Sequence, residues 1–290
     1  MTATEQAKTP NIIAQDGVAD TSEIKNSVRE VYEFIAAEYD DRIPGVTPAD
    51  ERFTESEMAF VLSKVRPSDR ILDMGCGTGR FTVPMATIAN QVVGLDLTPA
   101  MLEQARRNAD KAGVTPELQQ GDMCDLPFPD ESFDLVTSML ALMHIPPTDR
   151  PRVFSEVSRV LRPGGRAVFG VKNGVFEQMS GVDRFASVDI TDVAEKNLVF
   201  TQTRDGKDRV AAWHSFTPED LNGLFATAGM IPVQLRGNST LSVWIADALL
   251  ADPGVAGTIR ALESVLCDTA PFNRLGYHLL IEAIKPGRRS

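Results

Sequence analysis

The sequence has few residues of the kinds that build disulfide frameworks, metal centres or membrane spans. Only three of its 290 residues are cysteine and only three are histidine. Three scattered cysteines are too few for a disulfide framework or a zinc site, so we expect each to be a small, reduced core residue. No uninterrupted apolar run approaches the roughly 20 residues that cross a bilayer, so no membrane association is expected.

Positive charge is also in short supply. The 29 Lys and Arg residues are outnumbered by 40 Asp and Glu residues, which gives a net charge of -11. Nucleic-acid binding draws much of its affinity from cations that neutralise phosphates, so a nucleic-acid partner is not expected. The N-terminal segment lacks the basic start and apolar middle of a signal peptide, and we therefore expect a cytoplasmic protein.

Strands and helices are expected to alternate through the middle of the chain. Short apolar runs predict strands at 70–73, 91–95, 117–121, 133–138 and 166–171, and helical spacing predicts helices over 99–112 and 148–161. Such alternation is typical of βαβ units, so the predicted fold is α/β, with a mostly parallel sheet covered by helices on both faces. Pro163-Gly164-Gly165 is expected to separate the second helix from the last of these strands.

The N-terminal 65 residues are expected to form a separate unit. Residues 1–22 are polar and without period, which predicts a mobile tail. Residues 23–65 predict a helical cap, in which Ser27 is the N-cap of a first helix and a second helix covers 54–65.

The C-terminal part has a looser pattern. It predicts a hairpin over 198–216 about a turn at 205–207, a helix that begins after Thr217, and strands at 231–236 and 277–285. Two amphipathic segments, 240–250 and 255–267, lie between these strands. The catalytic domain is expected to cover 66–290, with residues 176–210 and 238–275 as insertions that form a lid.

A glycine loop at residues 71–80, Ile-Leu-Asp-Met-Gly-Cys-Gly-Thr-Gly-Arg, follows a predicted strand and opens a helix. Glycines in this setting let a ligand approach backbone N–H groups. In the dinucleotide fingerprint the third glycine comes one residue later than Gly79 does here. The preceding Asp73 would repel a diphosphate but attract an amino group. The loop therefore argues against NAD and favours a ligand with an aminoacyl group.

Acidic residues also end the next two strands. Asp96 stands where a carboxylate can accept from both hydroxyls of a ribose. Asp122 can accept from the exocyclic amine of an adenine, and the backbone N–H of Met123 can face a ring nitrogen. Each acid alone could simply cap a turn, but three acids at consecutive strand ends favour a nucleoside ligand.

In order along the chain, the segments DMGCGTG, VVGLD, GDMCDLPFPDESFD and LRPGG resemble the motifs of class I S-adenosylmethionine (SAM)-dependent methyltransferases. The branch looks like the ubiquinone and menaquinone biosynthesis type and its secondary-metabolite relatives. The resemblance covers about residues 66–172, with a weaker similarity in 211–236 and 277–285. It implies a Rossmann-like, seven-stranded sheet whose final strand is antiparallel.

The resemblance also implies a set of cofactor contacts. The three loop glycines would lie beside the methionine part of SAM, Asp96 at the ribose, and Asp122 with Met123 at the adenine. Tyr39, in Ala-Ala-Glu-Tyr-Asp, is similar to an aromatic-acid element that closes over the methionyl end. The complete expected set is Tyr39, Asp73, Gly75, Cys76, Gly77, Gly79, Asp96, Leu97, Asp122, Met123 and Ser138.

Two histidines are candidates for acid–base work at the acceptor. His144 follows the strand at 133–138, and its ordinary pKa near neutrality suits a general base. It could equally be a loop histidine that caps the next helix. His214, in Trp-His-Ser-Phe, is the second candidate. Lys172 and Asn173 end another strand and could contact the acceptor.

The expected activity is transfer of a methyl group from SAM to an O, N or C nucleophile of a small molecule by in-line displacement. The sequence lacks the Pro-Cys pair and the Asp/Asn-Pro-Pro-aromatic motif of base-methylating enzymes, and no carboxylate cluster predicts a metal. Open alternatives are another SAM-binding enzyme such as a cyclase, a non-catalytic SAM-binding subunit, and a Rossmann dehydrogenase. A homodimer is compatible with this class, and the acceptor is not identified.

Overall fold

The computed structural model describes residues 21–42, 48–180, 188–192, 197–204 and 207–287. The strands in these ranges are β1 Arg70–Met74, β2 Gln91–Asp96, β3 Glu117–Gln120, β4 Phe133–Met139, β5 Leu161–Lys172, β6 Val188–Asp192, β7 Asn197–Arg204, β8 Lys207–His214, β9 Ile231–Asn238 and β10 His278–Ile284. The helices are α1 Thr21–Ile35, α2 Tyr39–Arg42, α3 Pro48–Leu62, α4 Thr82–Ala86, α5 Pro99–Ala112, α6 Arg150–Val160, α7 Gly174–Ser180, α8 Pro218–Thr227, α9 Asp247–Leu250 and α10 Pro253–Leu266.

Seven strands form the central sheet, in the order β3-β2-β1-β4-β5-β10-β9. The pairs among β1 to β5 are parallel, whereas β10 runs antiparallel to both of its neighbours. This arrangement confirms the predicted Rossmann-like α/β sheet with a final antiparallel strand. The strand order reverses between β1 and β4, and open α/β sheets bind their ligands at such a point, beyond the carboxyl ends of the strands.

The two faces of the sheet carry separate hydrophobic cores. In β1, Ile71 packs with Phe60 of α3 on one face, while Leu72 belongs to the core that contains Phe154 of α6 and Phe225 of α8 on the other. Successive residues of a strand point to opposite faces, so an apolar run that is buried on both sides needs helices on both sides. This packing fixes the carboxyl ends of β1, β2 and β4 in one place.

The N-terminal helices differ from their predicted bounds. Helix α1 begins at Thr21, so Ser27 lies inside the helix and is not its N-cap, and the Ser27 hydroxyl donates instead to the Val210 carbonyl of β8. Helix α3 begins at Pro48 and ends at Leu62, not 54–65. The polar tail was predicted over 1–22, and its first twenty residues lie outside the described ranges.

The expected break at Pro163-Gly164-Gly165 is wrong in its position. Helix α6 ends at Val160 and β5 begins at Leu161, so these three residues lie inside the strand. They form an irregularity in the pairing of β4 with β5, where Gly164 has a φ of +81° and its N–H donates to the Lys285 carbonyl. Glycine tolerates that conformation, and the chain turns into the sheet without a separate loop.

A second, three-stranded antiparallel sheet comes from the first of the two predicted insertions. Strands β7 and β8 form the predicted hairpin, with Arg204 paired to Lys207, and the two residues between them lie outside the described ranges. Strand β8 packs against α1, where Ala211 meets Val31. The N-terminal helix α1 therefore packs against the second sheet. The segment predicted as the second insertion, 238–275, contains α9 and α10.

Helix α8 begins with the predicted N-cap. The Thr217 hydroxyl accepts from the Asp220 N–H at 3.2 Å, and the Asp220 carboxylate accepts from the Thr217 N–H at 2.8 Å. Thr217→Ala should therefore lower the free energy of unfolding by about 1 kcal/mol in urea denaturation. Thr258→Ala, on exposed α10, is the matched control and should change stability by less than half as much. Equal losses in both variants would contradict the capping role.

Candidate active site

The glycine loop follows β1 directly and turns the chain against β2. The backbone N–H groups of Gly75 and Cys76 both donate to the Leu95 carbonyl, at 2.7 and 3.0 Å. Gly75, Gly77 and Gly79 have φ values between +53° and +83°. Residues with a Cβ rarely adopt this left-handed region, so the backbone alone favours glycine at all three positions.

The three glycines differ in what surrounds them. A Cβ on Gly75 would lie 2.3 Å from the Cβ of Ala141, and one on Gly79 would lie 3.1 Å from a methyl of Val83. A Cβ on Gly77 would meet nothing within 4 Å. Gly75 and Gly79 therefore permit close packing of the protein on itself, whereas Gly77 faces open space.

That open space belongs to a cavity of about 800 Å³, which includes its part open to solvent. The cavity lies at the carboxyl ends of β1, β2 and β4. The predicted site residues that line it are Tyr39, Gly75, Gly77, Asp96, Leu97, Asp122, Met123 and His144. The lining residues that the sequence did not reveal are Lys25, Val28, Tyr32, Leu95, Thr98, Met101, Gly121, Met139, Leu140, Ala141 and Ile145.

Asp96 joins the glycine loop to the end of β2. One carboxylate oxygen accepts from the Gly77 N–H at 2.8 Å, and the other accepts from the Thr98 N–H at 2.9 Å. Burial raises the pKa of Asp96, although these backbone donors oppose the rise. Each carboxylate oxygen has a second lone pair, so the group can also accept from a ligand's hydroxyls in the cavity.

Asp122 forms an ion pair with Lys25, a residue that none of the sequence motifs includes. Its carboxylate accepts from the Lys25 ammonium at 2.6 Å and from the Cys124 N–H at 2.8 Å. Burial raises the pKa of Asp122, but the hydrogen bonds from Lys25 and Cys124 and the charge of Lys25 together outweigh burial, so the pKa is lowered. This ion pair holds α1 over the end of the cavity that Asp122 and Met123 line.

Asp73 does not reach the cavity, contrary to the prediction that it faces an amino group there. Only 2% of the residue is exposed, and its two carboxylate oxygens accept from the hydroxyls of Thr82 at 2.6 Å and Thr137 at 2.8 Å. Burial raises its pKa to about 6, and the two hydroxyls limit the rise. Asp73 thus fastens β1 to α4 and β4 behind the glycine loop.

This burial predicts a pH-dependent stability. Because the pKa of Asp73 is about 6 in the folded protein, against 3.8 for an ordinary exposed aspartate, the folded state takes up a proton and gains stability as the pH falls through that window. Asp73→Asn removes this gain, which is worth about 3 kcal/mol. The free energy of unfolding of the variant and of wild type is measured in urea at about pH 7 and at about pH 4. The difference between the two proteins should change between these pH values. A difference that stays constant with pH would contradict the assignment.

Three other predicted contacts also lie outside the cavity. Cys76 is buried against Gly94, and burial raises its thiol pKa well above the ordinary value. Gly79 packs against α5, and the Ser138 hydroxyl donates to the Met74 carbonyl at 2.9 Å. Their positions support the loop and the strand ends, and the contact with SAM predicted for each stays a prediction.

His144 lines the cavity, but its nitrogens are engaged with the protein. Nδ1 lies 3.1 Å from the Ala212 carbonyl, and Nε2 lies 2.7 Å from the Tyr32 hydroxyl and 3.2 Å from the Trp213 indole nitrogen. Burial lowers the pKa of His144 to about 4, although the hydrogen bond to Ala212 opposes the fall. The imidazole is therefore neutral near pH 7 and does not present a lone pair directly to the cavity.

His214 does not line the cavity and is corrected as a catalytic candidate. It is 9% exposed, its carbonyl accepts from Arg150 at 3.3 Å, and burial lowers its pKa to about 4, with the Arg150 charge acting in the same direction. The residue belongs to the packing between β8 and the start of α6.

The predicted aromatic-acid element closes one side of the cavity. Tyr39 lines it, and burial raises the pKa of its phenol to about 12. The neighbouring Asp40 accepts from the Thr78 hydroxyl at 2.5 Å and from the Asn108 amide at 2.7 Å. Because Thr78 belongs to the glycine loop, these bonds tie α2 to the loop and hold Tyr39 in place.

The residues that end β5 serve the protein's own structure. Lys172 donates to the Tyr277 hydroxyl at 2.9 Å, and Asn173 donates to the Gly276 carbonyl at 2.6 Å. Neither lines the cavity. The nearby Tyr277 is buried, whereas Trp244 and Phe272 are 48% and 38% exposed.

Within the described ranges, no group of three or more His, Cys, Asp or Glu residues is arranged to hold a metal ion. The same ranges contain no helix that is long and apolar enough to cross a membrane.

Sheet order, the glycine loop after β1 and the acids at the ends of β2 and β3 define a class I SAM-dependent methyltransferase fold. The methyltransferase domain family matches residues 71–165. A similar relative is the 27-O-demethylrifamycin SV methyltransferase of Amycolatopsis mediterranei, which is 39% identical over 136 residues, or 46% of this chain and 48% of the relative. Another is the demethylmenaquinone methyltransferase of Symbiobacterium thermophilum, 38% identical over 146 residues, or 49% and 57% of the two chains.

Solved structures show the same fold over most of the chain. The magnesium protoporphyrin IX methyltransferase of Synechocystis, solved with bound S-adenosylhomocysteine (SAH), has a TM-score of 0.57, 16% identity and coverage of 90% of this chain and 99% of its own. A SAM-dependent methyltransferase of Methanosarcina mazei has a TM-score of 0.56, 21% identity and coverage of 79% and 98%.

The predicted family resemblance and the predicted cofactor are confirmed. Residues 71–165 match the methyltransferase domain family, and the SAM-dependent enzymes among the structural neighbours support SAM as the cofactor. The demethylmenaquinone enzyme among the relatives fits the predicted branch. The chain spans about half the length of these curated relatives.

Proposed function

We propose that the protein transfers a methyl group from SAM to a nucleophilic atom of a small molecule. The observation that carries this proposal is the shared cavity, which is lined by Gly77 and Asp96 and also by Tyr32 and His144. A nucleoside ligand held by Gly77 and Asp96 would share this space with an acceptor that contacts Tyr32.

The residues at the loop fit such a ligand. Gly75 and Gly77 border the cavity without side chains, and the buried Asp96 carboxylate adds a charged acceptor for ribose hydroxyls. Tyr39 closes over the loop and would cover the methionyl part. Met123 lines the part of the cavity that would receive the adenine, where the Lys25–Asp122 ion pair would form one wall.

Methyl transfer from SAM depends mainly on the alignment of the acceptor atom with the methyl group, and less on acid–base assistance from the protein. Bound SAM supplies an activated methyl group whose sulfur leaves as a neutral thioether. The protein would hold the acceptor in line with that methyl group and keep water away. Val28, Met139 and Ile145 line the cavity with apolar surface suited to both tasks.

The test is methyl transfer itself. We expect the protein to form SAH from SAM above its acceptor-free background with at least one member of a panel of phenols, amines and enols. The product should carry one added methyl group by mass spectrometry. Tight SAH binding without any methylated product would instead favour a SAM-dependent enzyme of another kind or a binding subunit.

A further inference from the structure

A hydrogen-bonded relay begins at the cavity wall and ends in the second sheet. It runs from the Tyr32 hydroxyl to His144 Nε2, 2.7 Å away, and from His144 Nδ1 to the Ala212 carbonyl, 3.1 Å away. Tyr32 and His144 both line the cavity, while Ala212 is buried in β8. The relay therefore connects the cavity to β8, the strand that packs against α1.

The relay has a fixed direction. A carbonyl oxygen can only accept, so His144 Nδ1 must carry the imidazole proton and Nε2 must carry the lone pair. The Tyr32 hydroxyl therefore donates to Nε2. The Trp213 indole nitrogen, which can only donate, lies 3.2 Å from the same Nε2 and so does not offer the Tyr32 proton another acceptor.

The direction of the relay determines what Tyr32 offers to a ligand. A phenol oxygen has one proton to donate and two lone pairs. The Tyr32 proton is committed to His144, and the Trp213 side chain also hydrogen-bonds to the Tyr32 hydroxyl. Toward the cavity, this oxygen is consequently an acceptor. The apolar side chains of Val28, Met139 and Ile145 line the same cavity, so apolar surface and the uncharged acceptor of Tyr32 are found together.

We propose that Tyr32 contacts the methyl acceptor and receives a hydrogen bond from it, so that the preferred acceptor is a neutral molecule of phenol type that is methylated on that hydroxyl. His144 is a positioning residue that fixes the direction of this hydrogen bond. The proposal rests on the proposed methyltransferase function and specifies its acceptor. The Lys25 ammonium offsets the charge of Asp122, but the Asp96 carboxylate, which lines the same cavity, disfavours an anionic acceptor.

The relay also gives the acceptor proton a destination. As the acceptor oxygen bonds to the methyl carbon, the carbon–sulfur bond breaks and its electron pair stays on sulfur. Positive charge on the oxygen makes its proton strongly acidic, so the weakly basic His144, with a pKa lowered by burial to about 4, is sufficient. That proton passes to the Tyr32 oxygen while the Tyr32 proton passes to His144 Nε2. The imidazolium then releases its proton to water after the product leaves.

The test uses 4-nitrophenol as a probe, because its phenol and phenolate forms absorb differently. SAH binding is first measured by calorimetry, and the probe is then titrated into the SAH complex across a range of pH. In wild type we expect the probe to bind as the neutral phenol, with a bound pKa above that of the free probe. Tyr32→Phe should weaken binding of the neutral probe about fivefold, through loss of one hydrogen bond between uncharged groups.

His144→Phe should change the bound pKa of the probe, which a purely structural role of His144 would leave unchanged. With no acceptor at Nε2, the Tyr32 hydroxyl can donate into the cavity and stabilise the phenolate, so the bound pKa of the probe should fall below its wild-type value. Tyr277→Phe is the matched control, since this buried hydroxyl accepts from Lys172 and does not line the cavity. It should leave the affinity and ionisation of the probe unchanged.

The outcomes separate the two proposals. Absence of SAH binding would overturn the methyltransferase function and this inference with it. If SAH binds, three results would overturn this inference and leave the methyltransferase function standing. These are that the probe does not bind, that it binds to wild type as phenolate, or that its bound pKa is unchanged in a folded His144→Phe variant. If that variant does not fold, Tyr32→Phe decides the case, because an unchanged affinity for the neutral probe contradicts the contact.

Discussion

Gly77→Ala is expected to weaken SAH binding at least about 100-fold, a loss of roughly 2.7 kcal/mol. The added Cβ meets no protein atom within 4 Å, and Gly77 lines the cavity, so we expect the methyl group to take space from the bound ligand. The variant should fold, because the only cost within the protein itself is a left-handed backbone at a residue with a Cβ, about 1–2 kcal/mol. Calorimetry with SAH measures the first quantity and urea unfolding the second.

Gly113→Ala is a matched control for this change. Gly113 ends α5 with a φ of +69°, close to the +53° of Gly77, and a Cβ there also meets nothing within 4 Å. Because Gly113 does not line the cavity, the two variants should lose similar stability while only Gly77→Ala loses affinity. Equal SAH affinities in the two variants would show that the space beside Gly77 is not the ligand site.

Asp96→Asn is expected to weaken SAH binding by about 2 kcal/mol or more, roughly 30-fold. The substitution removes the negative charge that would accept from the ribose hydroxyls. The Asp96 carboxylate accepts from the N–H groups of Gly77 and Thr98. In the variant, the amide NH2 faces one of these two donors and cannot accept from it. Calorimetric titration of SAH into the purified variant measures the effect.

Asp73→Asn is the control, since it removes the charge of a neighbouring buried acid that does not line the cavity. Its carboxylate accepts from Thr82 and Thr137, which tie it to the protein interior. We expect its SAH affinity to stay within about threefold of wild type, a difference below about 0.7 kcal/mol. Similar losses in the Asp96 and Asp73 variants would contradict a specific role for Asp96.

The central sheet could be predicted because its signals are local. Apolar runs of strand length, helical periodicity and a glycine loop between them locate β1 to β5 within a few residues of their observed bounds. The break at Pro163-Gly164-Gly165 was misplaced, because a bulge inside a strand and a turn before a strand share the same residues. Only the pairing of β5 with β4 and β10 distinguishes them.

The position of Asp73 could have been predicted from the alternation of β1. Ile71 and Asp73 share one face of the strand, and Leu72 and Met74 share the other. The face of Ile71 packs against α3 and α4, so an acid two residues later points into the helix layer and not beyond the strand end. Its place before the glycine loop suggested a ligand contact, but the period of the strand determines where the side chain goes.

The acceptor end of the cavity could not be predicted, because its contacts join distant parts of the chain. Tyr32 and His144 are 112 residues apart, and His144 and Ala212 are 68 residues apart. The spacing of Val31 and Ile35 predicts a buried helix face but not which residue of α1 meets the cavity. The basicity of His144 also depends on this packing, since burial is what lowers its pKa to about 4.

The central claim is that the cavity beside the glycine loop binds SAM, and calorimetric titration of the purified protein with SAH and, separately, with NAD tests it most directly. We expect SAH to bind at one site per chain and NAD to give no heat of binding. The loop's shortened glycine spacing and the Asp96 carboxylate beside Gly77 favour a nucleoside without a diphosphate. Binding of NAD with no binding of SAH would contradict the account.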